Sequence, residues 1–377
     1  MKINKTFTVS SPYFYKEDIK NILKKTEDIL SGNQMLTMSK NVKEFENKFK
    51  KYCDTKYAIA TSSCTSALEI SLSSLDLKAD DEVIVPVQTF IATGSAVLKA
   101  GAKIIFCDVD QNFLLDFKCL KNLITKKTKA VIIVHFAGLI SENIVKIKNF
   151  LKKQNIYLIE DAAHSHGATF GKFNAGNIGD FGCFSFYSTK IMTTGEGGMI
   201  TVNSKNKYEK CSSIRNRGMN INLKEELFVN LGSNYRVTEF QALLGLYQLK
   251  RLEKFVDHRN KIANIYKNGL SDFIKNKIIR IQETPKNSRH AYWRFIIFLE
   301  EHDREKIKKK LNLINIKVDS PYFPLLHKQP LFKNYRRFNC SNAEKISQKH
   351  ICLPVHMNIN KKDAEFIIEK LGGCLNH

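Results

Sequence analysis

The chain has one tryptophan and seven prolines in 377 residues, no CxxC spacing among nine cysteines, and no arginine before Arg215. An odd cysteine total without paired spacing argues against a disulfide framework or structural zinc, so the thiols read as reduced and mostly buried. Long hydrophobic runs are missing too: the longest mainly apolar stretch, residues 130–140, is too short to span a bilayer and carries His135 inside it. The opening MKINKTFTVSSPYF lacks the continuous apolar segment of a secretory signal, and a cytoplasmic protein without membrane association is expected. No repeat of solenoid length is visible.

What is present is ordinary for a globular protein: 43% hydrophobic and 10% aromatic residues, enough for a sizeable core and too many for large-scale disorder. The length favours one large domain plus a smaller one. The formal net charge of +23 fits nucleic acid, a membrane surface or an anionic small substrate. It equally fits biased codon use, because lysine supplies 49 of the 60 basic residues and Asn and Ile are also abundant. The lysines are scattered and no nucleic-acid motif accompanies them, so no nucleic-acid partner is expected.

Helical spacing of Val42, Phe45 and Phe49 in residues 41–52 predicts a helix. Short apolar runs at 57–61, 82–85, 103–107, 130–135, 156–160, 181–186 and 199–202 predict seven strands, several rich enough in Ile, Val and Phe to be covered on both faces. Helical stretches such as 65–75 and 142–154 lie between the first five, the pattern of an α/β domain with a mainly parallel sheet. Residues 237–261 read as one long helix linking two domains. A strand near 292–299 and helices near 302–311 and 362–371 then read as a smaller α+β domain. The expected division is 1–250 for the large domain and 251–377 for the small one.

Ligands collect beyond the carboxyl ends of strands in such sheets, and three segments fall there. In YLIEDAAHSHG (157–167) an apolar strand ends in Glu160 and Asp161. An acid there is a ligand-site residue, a helix cap or a metal ligand; Glu160 is either structural or an orienter of a later loop. In FGCFSFYSTKIMTTGEGGM (181–199), Lys190 follows an apolar strand and precedes a glycine-rich turn. Burial there lowers an amine's pKa and makes it nucleophilic toward an aldehyde, unless the side chain snorkels to the surface. In TSSCTSAL (61–68) a strand gives way to a helix whose first turn offers free N–H groups and hydroxyls, suited to an anion or to simple N-capping. Pyridoxal 5′-phosphate (PLP) needs a lysine for a Schiff base, an anion that keeps the pyridine nitrogen protonated, and donors around a phosphate. Lys190, Asp161 and the 61–68 turn answer these needs.

The ordered motifs TSSCTSAL, DEVIVPVQTFIAT, FCDVD, IIVHFAG, IEDAAHSHG, GDFGCFSFYSTK, GEGG and NYRVTEFQALLGLYQLKRL resemble the DegT/DnrJ/EryC1/StrS family of PLP-dependent aminotransferases. The resemblance runs from about residue 35 to 260, with weaker echoes in YFPLLHKQPLF and ICLPVH. It implies a fold-type I, aspartate aminotransferase-like α/β architecture with a mainly parallel seven-stranded sheet, and a homodimer with shared active sites. Residue by residue, it makes Lys190 the Schiff-base lysine and proton carrier and Asp161 the partner of the pyridine nitrogen. His164 falls near the cofactor's ring oxygen, and Thr65, Ser66 and Ser185 fall at its phosphate. Phe90 matches the aromatic stacked on the pyridine face, or is core. Asn234 matches an asparagine that reaches the neighbouring subunit's phosphate. His164 with His166 lacks a third metal ligand at suitable spacing, so no metal is expected. His135 is either a core histidine or an active-site wall.

Two positions depart from the pattern. Cys64 stands where the family has glycine, adding a side chain and an option of an accessible thiol. Arg217 stands where histidine is frequent, and with Arg215 it is either a fork for a substrate anion or a surface ion pair. The implied reaction is transamination through pyridoxamine phosphate, from an amino-acid donor such as L-glutamate to a nucleotide-linked keto-deoxysugar for surface glycans. A small phosphorylated ketone is the alternative acceptor. A sugar dehydratase of this fold would carry histidine in place of Lys190, and a PLP-binding regulator would carry an appended DNA-binding segment.

Overall fold

The computed structural model describes residues 5–32, 34–222, 225–335 and 339–376. Two helices open the chain, α1 (Lys16–Leu30) and α2 (Lys40–Tyr52). The alternating region follows as β1 (Tyr57–Thr61), α3 (Cys64–Ser73), β2 (Glu82–Pro86), α4 (Ile91–Lys99), β3 (Lys103–Cys107), α5 (Phe117–Leu123), β4 (Thr128–Val134), α6 (Ile144–Lys153) and β5 (Tyr157–Asp161). Two short strands, β6 (Thr169–Phe170) and β7 (Phe173–Asn174), precede β8 (Phe181–Ser185), β9 (Gly198–Val202), α7 (Lys205–Arg215) and the long α8 (Glu239–Gly269). The remainder comprises α9 (Ser271–Lys275), β10 (Ile279–Ile281), β11 (Ser288–Arg289), β12 (Phe295–Leu299), α10 (Arg304–Leu313), α11 (Ser341–Ser347), β13 (His350–Leu353) and α12 (Lys361–Leu375).

Every strand expected from the apolar runs is present in one seven-stranded sheet of order β1-β9-β8-β5-β4-β2-β3. Its strands are parallel except β9, which runs antiparallel to both β8 and β1. One apolar layer, including Ile59, Ile132, Ile159 and Phe181, packs against α3 and α4. The other, including Ala60, Ile133, Leu158 and Phe184, packs against α2, α6 and α8. Adjacent residues of a strand thus feed opposite layers, as pleating requires. A three-stranded sheet, β10-β12-β13, carries the C-terminal core with α12.

Residue 250, the expected boundary, lies in the middle of α8, an unbroken 31-residue helix. The helix starts at Thr238, whose hydroxyl accepts from the Gln241 amide while Gln241 reaches back to the Thr238 N–H, a reciprocal cap. Phe7, near the start of the chain, bridges to Ile316 and is buried in the C-terminal core. Farther along, Tyr13 and Tyr15 pack against the large-sheet layer and Ile22 and Ile29 of α1 against Leu243, so the N-terminal segment touches both parts of the molecule.

Glu239 shows how α8 organises its neighbours. The cap of α2, Ser39, makes no side-chain bond of its own; the buried Glu239 carboxylate instead accepts the N–H groups of Ser39 (2.8 Å), Asn41 (2.7 Å) and Val42 (3.3 Å). An anion at the positive end of a helix dipole is favourable. Among the described residues no helix is long and apolar enough to cross a membrane, and no group of three or more His, Cys, Asp or Glu is arranged to hold a metal ion.

Candidate active site

Beyond the carboxyl ends of β1, β2, β4, β5 and β8 lies a cavity of about 450 Å³, walled by Ser63, Cys64, Thr65, Phe90, Asp161, His164, Ser185 and Lys190 among others. Topology puts it there: β5 and β8 are neighbours, pairing Asp161 with Cys183, and the segment after β8 leads to Lys190. Sequence neighbours Glu160 and Asp161 face opposite ways. Asp161 shares the Ile159 face, while Glu160 is fully buried on the other side. There Glu160 accepts Gly176, Ile178 and Gly179 amides at 2.7–2.8 Å and pairs with His135 Nε2 at 2.8 Å. Glu160 and His135 are therefore architectural.

Asp161 is buried, accepting the Thr93 hydroxyl at 2.7 Å on Oδ2 and the Ala163 amide at 3.2 Å on Oδ1. Burial pushes its carboxyl above the usual range, while the Thr93 and Ala163 bonds and the Lys190 charge pull it back. Thr93 is itself paired with Thr89 at 2.7 Å. Lys190 keeps a little solvent contact through the cavity, yet protein surrounds it, and burial lowers its amine to about 8 against the opposing effects of Asp161 and Cys64. Its Nζ sits 4.6 Å from the centroid of Trp293, the only tryptophan. The Trp293 indole N–H donates to the Thr189 carbonyl at 2.9 Å, tying the C-terminal layer to the residue before the lysine.

His164 stacks on Trp293, centroids 3.7 Å apart and planes 7° apart, with Nε2 3.1 Å from the Tyr322 hydroxyl. Its Nδ1 is buried without a protein partner among the described residues. Burial drives the imidazole pKa well below its ordinary value, helped by Lys190 and Arg294. His166 does not join it: its ring lies 5.3 Å from Phe184 and 5.7 Å from Phe186. Phe90, half exposed, caps α4 at the cavity wall, 5.4 Å from the Tyr322 ring.

Thr65 and Ser185 line the cavity; Ser66 does not. The Ser66 hydroxyl is engaged at the start of α3, accepting the Ser63 amide at 2.9 Å and donating to the Ser63 carbonyl at 2.7 Å, while Ser63 Oγ accepts the Ser66 amide. This box fixes the helix start and leaves the first amides, those of Cys64 and Thr65, without partners inside the helix. Gly198 makes the arrangement possible, because a Cβ there would lie 2.3 Å from the Ser63 carbonyl oxygen. Cys64 is buried with its thiol 3.5 Å from the Cys183 carbonyl, and burial pushes its pKa well up. The thiol is thereby kept protonated and a poor nucleophile, although Cys64 forms part of the cavity wall.

Neither arginine singled out by sequence reaches the cavity. Arg215 is buried, donating to Glu46 at 2.6 Å and to the Ala60 carbonyl at 3.2 Å. Arg217 adopts a positive φ of 63° and lies over Phe228 on a separate groove shared with Lys40, Lys43 and Arg236. Asn234 is exposed outside the cavity, in a bridge with Asn216. Sequence reading missed Thr93, Trp293, Tyr322 and the Arg294–Asp319 pair, joined at 3.0 Å, all of which except Thr93 line the cavity wall directly. Only the rarity of Trp293 offered a signal.

A lysine of lowered pKa, a buried carboxylate, an unpaired imidazole nitrogen and a helix start with free amides, all around one cavity, fit PLP. They define a PLP-dependent transferase of the aspartate aminotransferase architecture. The chain belongs to the DegT/DnrJ/EryC1/StrS aminotransferase family, whose model matches residues 16–372. It is 34% identical over 336 residues to GDP-perosamine synthase of Caulobacter vibrioides, covering 88% of this chain and 89% of that one. It is 32% identical over 379 residues to the UDP-4-amino-4,6-dideoxy-N-acetyl-beta-L-altrosamine transaminase of Campylobacter jejuni, covering 98% and 97%. NtdA from Bacillus subtilis, solved with bound pyridoxamine phosphate, superposes with a TM-score of 0.90 at 27% identity, covering 100% of this chain and 87% of that one. The chain is a PLP-dependent aminotransferase.

Proposed function

We propose that this enzyme moves an amino group from an amino-acid donor, L-glutamate, to the keto group of a nucleotide-linked keto-deoxysugar in the cytoplasm, for surface glycan synthesis. The observation that carries the chemistry is the convergence of Lys190 and Asp161 on one cavity beside the start of α3. The acceptor class rests on relatives whose names specify GDP- and UDP-linked amino sugars.

In this reading Asp161, Lys190, His164, Phe90, Thr65 and Ser185 hold the cofactor. PLP, when bound, supplies a carbonyl that takes up the amino group and a protonated ring that withdraws electrons from the reacting carbon. Asp161, oriented by Thr93 and Ala163, holds the proton on the ring nitrogen. An amine lowered to about 8 is partly neutral near pH 7, which lets Lys190 accept a proton from the substrate carbon and return it. Trp293, Tyr322 and Phe90 wall the cavity and keep water from the reacting atoms.

A homodimer completes the reading. Met35, Leu36, Phe228, Val229 and Leu231 are exposed, Leu231 by 96%, around the Asn216–Asn234 bridge and the Arg217 groove. A second copy covering that surface would bring Asn234 toward its partner's cofactor site. The acceptor is tested by loading the enzyme with L-glutamate and offering nucleotide keto-sugars and triose phosphates separately. Return of the PLP absorbance with a nucleotide keto-sugar is expected; return with triose phosphate alone would overturn the acceptor class. Lys190→Ala is expected to lose the covalently bound cofactor's visible band and all transamination, and persistence of that band would remove Lys190 from its role.

A further inference from the structure

We propose that Trp293 is a positioning residue for Lys190: its indole face is the seat on which the lysine rests as an ammonium whenever the amine is free of the cofactor, so that a ring, and no carboxylate, holds the proton the lysine carries. The inference rests on the assignment of Lys190 as the proton carrier and names what that proton is held against.

The first observation is what the amine lacks. Among the described residues Lys190 Nζ has no hydrogen bond and no ion pair. Asp161, the acid whose charge it feels most, gives its oxygens to Thr93 and Ala163. An ammonium without a carboxylate partner needs another source of negative potential, and among aromatic faces an indole supplies the most. Nζ stands over the Trp293 ring, 4.6 Å from its centroid, well inside the reach of that attraction, about 6 Å. Second, ring and lysine are held together. The indole N–H donates at 2.9 Å to the carbonyl of Thr189, the residue before the lysine. The Trp293 amide donates to the Ala137 carbonyl at 2.8 Å, its own carbonyl accepts Arg294 at 3.2 Å, and His164 stacks on the indole at 3.7 Å.

Third, the charges around the amine leave the ring a part to play. Burial and Arg294 push the proton off Lys190, while Asp161 and Cys64 draw it on. Burial keeps His164 and His166 neutral and the Tyr322 phenol protonated, so none of them adds a charge, and Glu196 stands exposed at the rim. The Arg294 guanidinium is 4.1 Å from the same indole centroid, but Asp319 meets its charge at 3.0 Å. Lys190 is therefore the cation for which the ring is the direct partner. In the proton transfer a substrate C–H bond breaks, its electron pair stays with carbon, and an N–H bond forms on Lys190. The new ammonium then faces the indole until the proton is returned. A π face attracts the charge without engaging an N–H in a hydrogen bond, so each hydrogen stays free for the next acceptor, and the proton is held less tightly than a carboxylate would hold it.

The chain has one tryptophan, so growth on ring-fluorinated tryptophan weakens the negative face of this ring and of no other, while keeping its shape and its N–H. Enzyme loaded with pyridoxamine phosphate, in which Lys190 is a free amine, is titrated by NMR of lysine enriched in carbon-13 at Cε. Lys190 is assigned by the signal lost in Lys190→Met. The expected midpoint, about 8 with ordinary tryptophan, falls by roughly a few tenths of a pH unit per fluorine and by about one pH unit in Trp293→Leu, with Trp293→Phe between them. The pH profile of a single-turnover return of the amino group to a keto acid should move by the same amount. A midpoint unmoved or raised by fluorination would make the ring a mere wall and overturn the proposal, whether or not Trp293→Leu folds. A Lys190→Met enzyme that still transfers amino groups would instead strike the assignment of Lys190 as the proton carrier.

Discussion

Replacing Thr93 by valine removes one short hydrogen bond from Asp161 without changing side-chain shape, and so isolates what that bond does. The carboxylate keeps the Ala163 amide but becomes a poorer anion, and in the role proposed for it the hold on the ring proton weakens. A fall in kcat of about tenfold is expected, equivalent to roughly 1.4 kcal/mol, with KM for the acceptor little changed; steady-state kinetics decide. Lys190 gives a second residue-scale expectation. Its folded-state pKa, about 8, lies below the ordinary 10.5, so the unfolded chain binds more protons in that interval and stability rises with pH across it. The cost of burying the charge is fully present below pH 8. Cofactor-free Lys190→Met should therefore exceed the cofactor-free parent by about 1–2 kcal/mol at pH 7, after allowance for residual solvent contact. The gap should close as pH approaches 10.5, and urea titrations at several pH values would reveal a constant gap if burial were not the cause. Lys190 and Asp161 stood out in sequence because Asp161 ends an apolar strand and Lys190 lies between the end of another and a glycine-rich turn. Trp293 and Tyr322 were not, since nothing local marks a residue whose role is created by packing against a segment far away in the chain.

At the scale of elements, the apolar runs disclosed all seven strands because each is covered on both faces, and burial writes itself into composition there. The direction of β9 was hidden: an antiparallel strand with both faces covered reads like a parallel one. The end of α8 was hidden as well, because charged residues such as Lys254, Asp257 and Lys261 interrupt the apolar pattern while the helix continues to Gly269. Ser66 illustrates a local signal with two meanings, a hydroxyl in a helix's first turn that serves either ligand or helix; the box with Ser63 engages it in the helix. Two elements meet most tightly at Gly198. Gly198→Ala should push the start of α3 away from β9, since the added methyl would overlap Ser63 backbone atoms. The expected result is a PLP affinity lowered at least tenfold, with thermal unfolding in PLP-free buffer reporting a loss of about 1–3 kcal/mol from the same clash. Unaltered affinity would mean that the position of this helix start does not govern the phosphate end of the site.

For the whole molecule, the apolar residues left on the surface matter more than the +23 charge. Leu231, Phe228 and Val229 form an exposed apolar surface, the kind that marks an interaction site. In the homodimer proposed above, of about twice 43.3 kDa, Leu231→Asp combined with Phe228→Asp should give monomer in light scattering, and should lower PLP affinity if Asn234 crosses to the partner. Dimeric mass in the double variant would place the interface elsewhere. The N-terminal segment, joined to the C-terminal core through Phe7, was not readable from sequence because one aromatic among polar neighbours gives no hint of its distant partner. The solitary tryptophan has a practical consequence at this scale. Ultraviolet-excited indole emission from the entire chain originates at one point, within van der Waals range of a histidine and a few ångströms from the lysine amine. The protein thus carries its own label, and rapid-mixing fluorescence at tryptophan-selective excitation can time the arrival and departure of cofactor and substrates with no dye attached and no second indole to separate.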